Sequence, residues 1–186
     1  MTAAAPGTQR RLFFDTMCLS HFARAERLDV LRDLTLDQDC WTTTVVRSEL
    51  AAGAVHYPEL AQTLSLDWLQ IARLDAQDDL RCFATWAERL GAQTRDQGEA
   101  SIFAAAERHS GIAITDDREA TRVARRYGAE VHGTIWLLAA ACRGGKFTVV
   151  NAGTVVDALR RKGARLPCTG DEFGRYAAGH GLLAGP

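Results

Sequence analysis

The stretch "IAITDDREA", Ile112 to Ala120, decides how the chain is read. Three apolar residues lead to a threonine and two adjacent carboxylates, and a charged, helix-compatible segment follows. A short apolar run of this kind suits a strand buried on both faces. Acids at its carboxyl end stand where open α/β sheets build their sites. "DDRE" also fits a capping box, with Asp116 as N-cap and Glu119 at the third helical position. On that reading Asp117 has no structural duty and is the favoured functional acid, although the two could share the work.

Outward from this stretch, strand-like and helical segments alternate. "RLFFD" (11–15) is an apolar run closed by an acid, and a helix follows with an expected break near Arg24. "CWTTTVV" (40–46) reads as a strand passing into a helix that stops at Gly53. Residues 58–66 suit a further helix and 68–74 a strand. Leu80, Phe83, Trp86 and Leu90 fall at helical spacing before Gly91. Helices are expected at 97–109, from 116 to Tyr127, near 134–143 and near 151–162, with "AEVHG" as a last strand. This order implies an α/β fold of three layers, α/β/α, around a mostly parallel sheet of four to five strands. The last residues, "AAGHGLLAGP", read as frayed.

The composition narrows the class. With 186 residues, 47% of them hydrophobic, one domain can build a real core. No apolar run approaches the roughly 20 residues of a membrane span, and the start lacks the apolar region of a secretory signal. Five scattered cysteines, none spaced as CxxC, suggest reduced thiols in a cytoplasmic protein rather than disulfides or a zinc knuckle. The five histidines lack zinc spacing; His21, His56, His109 and His132 are read as surface or locally bonded. The four tryptophans are read as core. Net charge is −1, but ten basic residues against three acids give +7 between Arg118 and Arg165. Such a region suits a phosphate backbone.

Four separate segments each supply one informative acid. Asp15 closes the first strand. Glu49 has Val45, Val46, Ala52 and Gly53 as helical neighbours, so it lies on an apolar stripe, where a carboxylate needs a partner. Glu99 has Ile102, Phe103 and Ala106 on its side of the helix, with a capping box from Asp96 as the structural alternative. Asp117 is the fourth, with Asp116 beside it. Brought together, these carboxylates repel one another, and a hard cation such as Mg²⁺ or Mn²⁺ relieves the repulsion.

In order and spacing these motifs resemble the PIN-domain nucleases, the metal-dependent ribonucleases known as VapC-type toxins of toxin–antitoxin pairs. "LFFDTMCLS" resembles the first-strand motif with Asp15, "TTTVVRSEL" the motif with Glu49, "GEASIFAAAE" the third with Glu99, and "AITDDREATRVARRYGAEVHGT" the last with Asp117. The Gly-Glu, Asp-Asp and Gly133-Thr134 combination is similar to one subgroup of the family. Glu99 stands where many members have Asp.

The resemblance implies catalysis by Asp15, Glu49, Glu99 and Asp117, which with Asp116 would hold Mg²⁺ or Mn²⁺. Thr16 and Thr115 would orient carboxylates or water, against the plainer reading of hydrogen bonds at helix starts. Arg118, Arg122, Arg125 and Arg126 would hold RNA, and an antitoxin and a homodimer are the protein partners implied. The expected organisation is a flexible lead at 1–10, the PIN-like domain at 11–165 and a tail at 166–186. A nuclease without an antitoxin, or a scaffold that binds RNA or protein without cutting, are the alternatives. A dehalogenase-type phosphatase needs a second acid where Met17 stands, and a receiver domain needs its acid pair near the first strand.

Overall fold

In the computed structural model, which describes residues 10–91 and 97–184, the chain opens on β1 (Arg11–Phe14). Leu12, Phe13 and Phe14 are all buried, so β1 shows no alternation and is covered on both faces. It is the centre of a five-stranded, all-parallel sheet ordered β3-β2-β1-β4-β5. The others are β2 (Asp39–Thr43), β3 (Gln70–Ala72), β4 (Ile112–Ile114) and β5 (Val131–His132). In register, Phe13 faces Trp41 on one side and Ala113 on the other. The fold is therefore the three-layer α/β/α arrangement expected.

Two helices follow β1. α1 (Thr16–Arg24) and α2 (Leu28–Leu34) are separated at Glu26, whose φ of 56° ends the first helix near the expected break. β2 stops at Thr43, earlier than the β-branched run suggests. The Thr43 hydroxyl accepts from Val46 N at 3.2 Å and caps α3 (Thr44–Gly53), so Val45 and Val46 belong to a helix. Residues Pro58–Ser65 form a 3-10 helix. α4 (Gln77–Leu90) closes on Gly91 at φ 67°, the left-handed position that glycine reaches without strain. It packs on α5 (Gln97–Arg108), where Trp86 meets Phe103 at 5.2 Å and donates to Glu107.

After β4 come α6 (Arg118–Arg126), β5, α7 (Thr134–Arg143) and α8 (Val149–Arg161). Part of the stretch read as frayed, Ala177–Gly179, is instead helical. α9 (Phe173–Gly179) buries Phe173 and Ala177 against the body, and Arg143 donates to the Leu182 carbonyl. Local propensity missed it because the anchors are tertiary: Gly170 N donates to Asp157 at 2.7 Å as the chain passes close over Gly153. The lead at 1–10, save Arg10, and the capping residue Asp96 lie outside the described residues. Among those described, no helix is long and apolar enough to cross a membrane.

Candidate active site

The sheet order sets β1 beside β4, so the chain turns away from the sheet at two adjacent points. One turn carries Asp15 and the other Thr115, Asp116 and Asp117. Such a reversal of strand order is where α/β folds open a crevice.

Asp15 is fully buried at the end of β1. It caps α1 by accepting from Cys18 N at 2.6 Å, and its other oxygen accepts from the Thr115 hydroxyl. Thr115 Oγ1 in turn accepts from Asp117 N at 3.1 Å, so one hydroxyl ties both acid-bearing turns together. Burial pushes the Asp15 carboxyl well above the usual carboxylate range. The Thr115 and Cys18 hydrogen bonds oppose that shift, while the charges of Glu99 and Asp116 add to it. A carboxylate desolvated beside two like charges has the environment that a cation would relieve.

Glu49 is half-buried on α3 and reaches the first turn of α5. Its carboxylate accepts from the Thr16 hydroxyl and from Gly98 N at 3.1 Å. Gly98 is needed for that approach, because a Cβ there would lie 2.5 Å from Glu49 Oε2. Ser101 fixes the same turn: it donates to the Gly98 carbonyl at 2.7 Å and bonds the Thr43 hydroxyl at 2.6 Å. Glu99, half-buried in this first turn, lies near enough for its charge to act on Asp15.

The paired acids reverse the roles that the capping box suggests. Asp117, not Asp116, is the N-cap of α6, accepting from Ala120 N at 2.7 Å. Asp116 instead accepts from Thr134 N at 2.8 Å and Thr134 Oγ1 at 2.6 Å, serving the start of α7. α7 begins after Gly133, which has no side chain to cap it, and Asp116 fills that need from 18 residues away. Burial raises the Asp116 carboxyl, against the two Thr134 hydrogen bonds. Asp117 remains exposed at the cleft mouth with one oxygen engaged.

A cleft of about 1000 Å³ opens beside these groups, and neither Asp15 nor Glu99 is among the residues that line it. Thr16, Glu49, Asp116 and Asp117 line it on the acidic side, with Arg24, Arg118, Arg160 and Arg165 around them. Arg122 and Arg125 face a neighbouring cavity, and Arg126 lines neither. His21, read from the sequence as a surface or locally bonded residue, is buried at the cleft wall with Nδ1 unpartnered. Burial lowers its pKa and favours the neutral ring. Arg165 and His21 were missed as site residues; the first sits outside any acid motif, and the second gives no spacing signal. Cys18, although adjacent, is no nucleophile, because burial pushes its thiol well up. All five cysteines are free.

The donor set is entirely oxygen on the acidic side, the chemistry that suits Mg²⁺ or Mn²⁺ rather than zinc. Among the described residues, no three of His, Cys, Asp and Glu close into a ready coordination shell. Asp15, Glu49, Asp116 and Asp117 are each held by a neighbouring hydroxyl or amide, and an ionised carboxylate oxygen that accepts one hydrogen bond retains a further lone pair.

A family model described as a PIN domain matches residues 11–169. That is most of the chain, and the protein belongs to the PIN-domain family. Its members are generally nucleases, and generally metal-dependent. No curated protein matches the chain.

Proposed function

We propose that this protein is an endoribonuclease that hydrolyses RNA phosphodiester bonds with Mg²⁺ or Mn²⁺ held at Asp15, Glu49, Glu99, Asp116 and Asp117. The observation that carries the reading is the state of Asp15: a carboxylate without solvent contact, raised by burial and by neighbouring acids, at the junction of two strand ends. A bound ion of this kind lowers the pKa of water and neutralises charge on the leaving oxygen.

The chain's own groups supply the rest. Thr16 holds Glu49 and Thr115 holds Asp15, so each carboxylate is fixed before substrate arrives. Asp117 keeps one oxygen for its helix cap, which leaves the other toward the cleft. Arg118 and Arg165 stand at the cleft wall, where they bind phosphate oxygens without reading sequence. The toxin role, with an antitoxin partner, extends the same reading and rests on the resemblance of the motifs.

Cleavage of mixed cellular RNA by the purified protein tests the proposal, with Mn²⁺, with EDTA, and with Asp15→Asn. Cutting should require the metal and disappear in the variant, which should melt as a folded protein. Retained cleavage by Asp15→Asn overturns the carboxylate mechanism. Growth arrest on expression of the wild type, absent with Asp15→Asn, is the expected sign of a toxin.

A further inference from the structure

Beside the carboxylate cleft lies a second cavity of about 650 Å³, a size that accommodates a small organic ligand. Asp116, Arg118 and Arg165 line both spaces, so they form the wall between them. Of the arginines facing the second cavity, Arg122 is paired with Glu119 and Arg125 donates to the Val131 carbonyl. Arg118 and Arg165 make no ion pair or side-chain hydrogen bond among the described residues. The two uncommitted cations therefore stand on the shared wall.

The residues that line this cavity but not the carboxylate cleft include four rings, His132, Trp136, Tyr176 and His180. Trp136 on α7 stacks on His132 with centroids 4.1 Å apart and planes 8° apart. Tyr176 on α9 and His180, the residue that caps its end, form a second stacked pair, also at 4.1 Å. Burial lowers the His132 pKa, which favours the neutral imidazole within the first stack. Tyr176 and His180 come from beyond the family match, which ends at residue 169. Phe173 and Ala177, both fully buried, anchor the helix that presents them.

A cavity with free cations on the side of the acids and flat rings beyond them has the chemistry of one nucleotide. We infer that Trp136, Tyr176 and His180 form a subsite for the unpaired base next to the scissile phosphate, with Arg118 and Arg165 holding the intervening backbone. This rests on the nuclease reading and adds to it a role for the C-terminal helix. The single-stranded state follows from the chemistry, because a base must leave its duplex stack to lie on aromatic rings.

The test uses full-length Asp15→Asn, which does not cut, and two short labelled single-stranded oligoribonucleotides. One carries bases, and the other is abasic with the same number of phosphates. His180→Ala, on an exposed residue, should weaken binding of the base-bearing strand about 10-fold. It should leave the abasic strand unchanged. Tyr176→Leu, which keeps an apolar contact on α9, should act in the same direction, and Arg165→Ala should weaken both strands. Melting curves confirm that each variant is folded. If neither the Tyr176 nor the His180 substitution changes binding, or both strands weaken equally, the subsite is overturned while the nuclease reading stands. If the wild type neither cuts RNA nor binds either strand, both fall together.

Discussion

A single carboxyl group dominates this site, and its burial has a consequence that can be measured without any substrate. Asp15 holds its proton to a higher pH in the folded chain than in the unfolded one, chiefly because burial disfavours its charge. For an acid shifted in that direction, the stabilisation is complete below the ordinary carboxylate pKa of about 4. It is lost as pH rises through the folded value. In EDTA, the urea midpoint of the wild type should therefore fall more steeply than that of Asp15→Asn as pH rises above about 4. Parallel slopes would show that Asp15 titrates normally. The sequence placed Asp15 correctly at a strand end but carried no sign of its complete burial or of its hydrogen bond from Thr115, 100 residues away. The paired acids failed for a related reason. A capping box is a local pattern, and Asp116–Glu119 satisfied it, but the competing demand came from the start of α7. Local rules cannot see an acceptor required by a helix 18 residues further on.

Helix starts, more than strands, bring the acids together. Asp15 begins α1, Asp117 begins α6, Asp116 serves α7, and Glu49 accepts from the first turn of α5. Each carboxylate thus meets unsatisfied N–H groups and the positive end of a helix dipole, which offset part of the mutual repulsion. The meeting of α3 and α5 is the tightest of these joints. Gly98→Ala should gain helix propensity, by about 0.5–1 kcal/mol, and leave the fold intact. Its new Cβ would nevertheless lie 2.5 Å from Glu49 Oε2, closer than contact allows, so the carboxylate must shift from Gly98 N and Thr16. Cleavage should then fall by about 10²-fold, the scale expected when a catalytic group moves by roughly 1 Å. Rates of RNA cleavage beside thermal melts would separate this outcome from unfolding. At this scale most of the chain was legible, because amphipathic spacing and Gly91 mark α4 and the break after α1 is audible in its polar run. α9 was not, since its seven residues are held by Phe173 and by contacts to α8 rather than by periodicity.

For the molecule as a whole, strand order brings the acid-bearing turns after β1 and β4 side by side. Placing β1 between β2 and β4 brings the Asp15 turn against the Asp116 turn, while α3 and α5 close over the same edge. On the proposed reading that arrangement sets like charges near one another, as Glu99 and Asp116 act on Asp15, and a bound cation should offset their repulsion. A ligand present at about 100 times its Kd stabilises the folded state by about 2.7 kcal/mol. For a chain of this length such a gain corresponds to a rise in Tm of about 5–10 °C. Mn²⁺ at saturating concentration should produce that rise in the wild type relative to EDTA. Above the pH at which Asp15 ionises, Asp15→Asn should begin with a higher Tm in EDTA, because it removes a carboxyl whose ionisation burial and the neighbouring acids oppose, and it should gain much less on adding Mn²⁺. The two changes have opposite signs and a common cause, so general ionic screening cannot imitate them: screening would raise both proteins alike, and Mg²⁺ and Ca²⁺ would act as uniformly as added salt. Equal gains in the two proteins would place the ion away from Asp15, and the catalytic reading of the cleft would then have to be rebuilt around Glu49 and Asp116.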